Sequence, residues 1–191
     1  MAVFSNRATL KYNGKTITSN TVYGNMPNSV RMTKDHIESD YVSHSTITYI
    51  INIINISETD LTDASLVDDL GAYTLCDETV VPLAYTDGTL LFYLNGVLQA
   101  TPTLRSDGAL TLTGLSIPEG AVATIIYQTT VDVLTPVSIT NTVTLSGNGL
   151  PSEISVSDTI PIGLNTAKRS LTYSVTNIPC TDSNAKNKPK V

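Results

Sequence analysis

The stretch STITYIINIINI, residues 45–56, decides the fold class of this chain. Ile47, Tyr49, Ile51 and Ile53 fall on one face, while Thr46, Thr48 and Asn52 fall mostly on the other. A period of two puts one face of an extended strand on a core. Branched and aromatic side chains suit such a pleated, half-buried surface.

The same pattern recurs on both sides. Residues 8–12 and 15–23 flank Asn13-Gly14, which supplies the two positive-φ positions of a tight hairpin turn. A second Asn-Gly pair, Asn95-Gly96, separates residues 90–94 from 97–99, and Asp87-Gly88 and Asp107-Gly108 are further turn signals. Strands are predicted over 61–70, 79–85, 110–115, 121–133, 138–145, 154–160 and 171–175. Residues 25–40, with Pro27 and mixed charge, read as a linker with a short helical turn near Thr33 to Glu38. Short strands punctuated by turns predict an all-β protein, a sandwich or barrel. The expected division is 1–40 for hairpin and linker, 41–160 for the sandwich, and 161–191 for a last strand and a polar tail.

Composition narrows the function. Of 191 residues 41% are hydrophobic, enough for a core, and only 15% are charged, against a usual quarter. The formal net charge of −6 argues against a nucleic-acid surface. Lys186, Lys188 and Lys190 read as a solvated end. No segment approaches the roughly 20 apolar residues of a membrane-spanning helix. The first ten residues lack the profile of a secretion signal.

The phrases Ser45-Thr46-Ile47-Thr48-Tyr49 leading to Asn55, Leu112-Thr113-Gly114-Leu115, Pro118-Glu119-Gly120, Thr140-Asn141-Thr142-Val143 and Ser157-Asp158-Thr159-Ile160-Pro161 come in a telling order. Together they resemble the Ig-like conserved repeat domain of bacterial surface proteins, over residues 45 to 160. Val67-Asp68-Asp69-Leu70-Gly71 departs from that pattern, which would place a first "DTLP" phrase there. The resemblance implies a β-sandwich of Ig-like or jelly-roll type, here with an N-terminal hairpin and C-terminal strand extensions, acting as a structural or adhesive module on a cell surface. It brings no catalytic residues, and a spore surface would fit the missing secretion signal.

The ends extend this reading. Asn20-Thr21-Val22 repeats the closing phrase at Asn141, and Leu171-Thr172-Tyr173-Ser174-Val175 is similar to the opening strand at Ile47. Ile17, Val22 and Tyr23 at one end, with Leu171, Tyr173 and Val175 at the other, are therefore candidate inter-subunit strand residues. Such ends either fold back onto their own sandwich or insert into a neighbouring copy, and the second case builds a homopolymeric filament. A host or cell-wall ligand is the alternative partner.

Cys76 and Cys180, about a hundred residues apart, are too distant for zinc or redox motifs. They are read as free thiols or as a disulfide, within one chain or between subunits. No nucleophile elbow, phosphate loop or dinucleotide motif is present, so no enzyme and no cofactor are expected. His36 and His44 read as structural or surface histidines. The acidic stretch Glu58, Asp60, Asp63, Asp68, Asp69, Asp77 and Glu78 reads as a solvated face. An internal Lys–Asn isopeptide bond, as in some Gram-positive pilins, needs a buried lysine, an asparagine and a carboxylate. Lys11 with Asn141 or Asn55 is the pairing considered.

Overall fold

A computed structural model describes residues 3–25, 30–132 and 136–163. All the regular structure there is β, as expected. The strands are β1 (Val3–Asn6), β2 (Thr9–Tyr12), β3 (Lys15–Thr18), β4 (Val22–Asn25), β5 (Val30–His36), β6 (Thr46–Asn55), β7 (Leu61–Asp68), β8 (Tyr73–Leu75) and β9 (Glu78–Val80). They continue with β10 (Leu83–Tyr85), β11 (Leu91–Leu94), β12 (Val97–Leu98), β13 (Thr103–Ser106), β14 (Leu110–Ile117), β15 (Val122–Val131), β16 (Ser138–Asn148) and β17 (Ile154–Pro161).

Two sheets make the sandwich. One runs β12-β11-β15-β6-β5, with β10 also pairing to β15; the other runs β13-β14-β7-β16-β17. Neighbours in both are antiparallel. The stretch that opened the sequence reading is the spine of the first sheet. Ile47, Tyr49, Ile51 and Ile53 on β6 are all fully buried, and β15 lies beside them with Ala123, Ile125, Tyr127 and Val131 buried in turn. The second sheet answers with Leu61, Ala64 and Leu66 of β7, Leu110, Leu112, Leu115 and Ile117 of β14, and Ile139, Val143 and Leu145 of β16. Two apolar faces closed on each other supply the main drive for folding.

The reading of residues 25–40 as a linker is corrected. Val30–His36 is a strand whose burial alternates, and it pairs with β6 from Val30↔Asn55 to His36↔Tyr49. The helical turn placed near Thr33 is absent for the same reason. Residues 79–85, read as one strand, divide into β9 and β10, and β9 forms a small hairpin with β8 around Cys76-Asp77. Cys76 and Asp77 take φ of 50° and 66°, so this tight turn is built without glycine.

The N-terminal segment is a ribbon. β1 pairs with β4 and, farther out, β2 pairs with β3 around Asn13-Gly14, with Ser19 N–H donating to Ala8 O between the two ladders. Every residue from 5 to 23 is exposed.

Where β7 ends, Gly71 sits at φ +73°, and a Cβ there would lie 2.5 Å from Ile139 Cγ2. Gly71→Ala therefore combines left-handed strain with a core clash, whereas Gly88 at φ +77° faces open space. The expected loss for Gly88→Ala is about 1 kcal/mol, and Gly71→Ala should exceed it by about 1–3 kcal/mol, read as a difference in urea midpoint.

Candidate functional site

Three strands, β5, β7 and β16, each place a polar side chain in the core, besides the buried Asn55 and Thr129. On β5 the alternation that buries Val30 and Met32 also buries Lys34. On β7 the inward row Ala64, Leu66 ends in Asp68. On β16 the row Ile139, Val143, Leu145 contains Asn141. Val143 lies directly opposite Asp68 in the ladder, so Asn141, two residues along, is its diagonal neighbour on the same face. Lys34 reaches them from the opposing sheet.

Lys34 Nζ donates to Asp68 Oδ2 at 2.5 Å, with both side chains fully buried. Desolvating two charges costs several kcal/mol per ion, so the pair persists only if its remaining valences are met. Asp68 is well supplied: the Tyr127 hydroxyl also donates to Oδ2, and the Leu70 N–H donates to Oδ1 at 3.0 Å. Lys34 Nζ also lies 4.8 Å from the centroid of the Tyr49 ring, a cation–π contact. Tyr49 and Tyr127, opposite each other on β6 and β15, stack at 5.6 Å. Burial pushes the Lys34 pKa down, opposed by the adjacent Asp68 carboxylate. Burial pushes both phenols up, and Asp68 adds to the effect.

Asn141 is the anomaly. Its amide oxygen and nitrogen are both buried without a hydrogen-bond partner, and so is the Tyr49 hydroxyl. These three atoms are the orphaned buried side-chain polar atoms among the described residues. Each such group costs about 1–3 kcal/mol, so their gathering beside a buried ion pair is not neutral packing. The amide lies close enough to both tyrosines to bear on their ionisation, although it meets hydrogen-bond geometry with neither. Asn55, also buried, is the contrast. Its Nδ2 donates to the carbonyls of Thr59, Ile117 and Pro118, and its Oδ1 accepts from Ser57, so it is a satisfied structural asparagine.

Several sequence-level readings change accordingly. Asp68 is not part of a solvated acidic face, because it sits under the sandwich beside a lysine. Lys11 is exposed on the ribbon, and the buried lysine is Lys34, paired with Asp68. Lys34 was missed because it fell in the supposed linker, although Val30, Met32 and Lys34 alternate with polar neighbours there. His36, on the same strand, pairs through Nδ1 with Asp158 Oδ2 and ties the edge strands β5 and β17 together. His44 is exposed.

Ile17, Val22 and Tyr23 lie on the ribbon with exposed side chains. Leu171, Tyr173, Val175 and Cys180 fall outside the described residues. Cys76 is disulfide-bonded, and no free cysteine occurs among the described residues. No group of three or more His, Cys, Asp or Glu side chains that could hold a metal ion is gathered among the described residues.

Removing one member of the pair strands the other. Lys34→Met leaves Asp68 buried and uncompensated and should cost about 3–5 kcal/mol, while the double change Lys34→Met with Asp68→Leu should recover most of that. Equilibrium denaturation of the single and double variants measures the difference.

No family model matches the sequence, and no curated protein matches it. Solved structures do resemble it. The full-length major pilin SpaD from Corynebacterium diphtheriae has a TM-score of 0.51 at 12% identity, over 69% of this chain and 34% of that one. The N-terminal domain of the Streptococcus gordonii adhesin Sgo0707 has a TM-score of 0.51 at 17% identity, over 77% of this chain and 37% of that one. Domains D2 and D3 of SpaD have a TM-score of 0.50 at 12% identity, over 68% and 50%. This chain thus spans about a third to a half of the length of these proteins. The likeness is one of fold: this chain is an Ig-like β-sandwich of the kind built into bacterial surface pilins and adhesins.

Proposed function

We propose that this chain is a self-assembling structural subunit of a filament on a bacterial cell or spore surface, joined to copies of itself by strand exchange. The observation that carries the reading is the N-terminal ribbon. Among the described residues its strands pair only with one another, and Leu10, Tyr12, Ile17, Val22 and Tyr23 are all at least 59% exposed. A lone two-stranded ribbon is marginal in water, and its outer edges present unpaired backbone groups. Pairing with a neighbouring sandwich would cover both the edges and the apolar side chains.

A ribbon that enters a neighbour makes a heterologous contact, and repetition of such contacts gives an open fibre. Leu171, Tyr173 and Val175 are the proposed second connector, by their likeness in sequence to the strand at Ile47. The disulfide at Cys76 fits an oxidising, extracellular setting. A Cys76–Cys180 bond, within one subunit or between two, would reinforce the assembly. The pilin-like fold supports the polymer, and the reading needs no catalysis and no cofactor.

The alternative is an adhesin or stalk module that recognises a host or cell-wall ligand, supported by the likeness to the Sgo0707 domain. Negative-stain microscopy separates the two. Purified protein should form fibres, and deletion of residues 1–25 should abolish them while the sandwich stays folded. A monodisperse monomer at high concentration would overturn the filament reading and leave the adhesin.

A further inference from the structure

We infer that a groove beside Ser138 and Thr140 is the seat of residues 171–175 of the same chain, which add a short strand to the second sheet on the side of β16 that β7 leaves free. Along an antiparallel strand successive residues turn their backbone groups to opposite edges. Ile162 N–H donates to Val137 O, so Ile139 and Asn141 turn theirs toward β17. Thr142 O accepts from Asp69 N–H, and Thr142 N–H donates to Asp69 Oδ1. Thr142, Thr140 and Ser138 therefore turn theirs toward β7. That strand does not reach far enough to meet them. Its ladder with β16 ends at Asp68↔Val143, and the chain leaves it through Leu70 and Gly71, at φ of 53° and 73°.

The N–H and C=O groups of Ser138 and Thr140 thus have no backbone partner among the described residues. They open on a groove of about 310 Å³, lined by Asp69, Ala72 and Tyr73 beyond β7 and by Ser138, Thr140 and Thr142 of β16. An unpaired edge inside a sheet is a template for an added strand, with main-chain bonds supplying the affinity.

The course of the chain names the occupant. Ile162 and Gly163 are bonded to Val137 and Tyr41, so residues 164–191 set out from the Ser138 end of the groove. Tyr73 opens β8, which leads directly into the turn at Cys76. Cys76 is disulfide-bonded, and Cys180 is the one other cysteine in the sequence, so within a single chain the bond ties Cys180 back beside Tyr73. Residues 164–170, extended, reach about 25 Å, more than the roughly 17 Å of a five-residue strand, which lets residues 171–175 enter the groove from either end. With Leu171, Tyr173 and Val175 turned toward Ala72, Thr172 and Ser174 would extend the outer row of hydroxyls that Thr140 and Thr142 share with Thr159 and Ser157. Exchange of this strand between copies, the second connector of the filament reading, would be the swapped form of the same contact.

Hydrogen exchange of the oxidised full chain, resolved to single amides, tests the seat. The Ile139 and Asn141 amides, committed to β17, report that the sandwich is intact. The Ser138 and Thr140 amides should exchange at least about tenfold more slowly than their unprotected rates. The double change Thr172→Pro with Tyr173→Pro should remove that protection, and Cys180→Ser should weaken it, while Ile139 and Asn141 keep theirs. Unprotected Ser138 and Thr140 amides in the unsubstituted chain would overturn the proposal. So would protection that survives both variants, since something other than residues 171–175 would then fill the groove. Fibres with unprotected Ser138 and Thr140 would overturn the seat and leave the filament; protected amides in a monodisperse monomer would do the reverse.

Discussion

The ion pair between Lys34 and Asp68 constrains the sandwich more tightly than any apolar contact in it. Apolar side chains tolerate repacking, since neighbours of similar size can exchange places at modest cost. A buried ammonium tolerates nothing of the kind. Slipping β5 by one residue against β6 would turn Lys34 outward and leave Asp68 alone among Leu66, Tyr127 and Leu110. The pair therefore fixes the register of β5, and with it the position of Val30, where the ribbon and the sandwich meet in sequence. It also fixes how the end of β7 sits against β16, where Asp69 Oδ1 accepts from both Gly71 N–H and Thr142 N–H.

The edge strands β5 and β17 face each other along one side of the sandwich, and polar contacts close it. His36 meets Asp158 there, Tyr41 bridges to Ile162, and the Tyr41 hydroxyl donates to Pro136 O. Between β16 and β17 a ladder of hydroxyls runs along the exposed face: Thr140 with Thr159, Thr142 with Ser157, Thr144 with Ser155. The low charge and abundant threonine of the sequence thus find a structural place. Hydroxyls that bond one another across strands need no ionic surface to keep the sheet soluble and in register.

Much of this was legible in the residues. The strands β6, β15 and β16 alternate cleanly because each is a central strand with one face on the core. Asn13-Gly14 and Asn95-Gly96 do form turns, with positive φ at all four residues. β5 was not legible, because its third inward position is a lysine, and a charge at a core position erases the pattern that announces a strand. β8 and β9 are less legible for a local reason: the turn at Cys76-Asp77 has no glycine, and a cysteine takes its first positive-φ position. Asp68 looked like one acidic residue among seven, since only its partner distinguishes it, and that partner lies 34 positions away. Asn141 is legible as part of a phrase and as an asparagine paired with Lys11, but the unsatisfied state of its side-chain amide is a property of the fold alone.

The polar cluster and the ribbon lie close together on the same segment of chain. In a filament held by ribbons, tension enters each subunit near Val30 and runs into β5, an edge strand that pairs with β6 alone among the described residues. Backbone hydrogen bonds along an edge give way one after another when pulled from an end. The buried pair at Lys34, a few residues in, ties β5 across the sandwich to Asp68 of β7 and opposes that unzipping. β7 is flanked on both sides by β14 and β16 and so is the better anchored strand. A free-standing domain under no load gains little from such a tie, because its apolar core already holds both sheets. A subunit loaded through its first strand gains a great deal, and that is why a buried ion pair near the entry of β5 and an exposed ribbon just before it support a single mechanical reading.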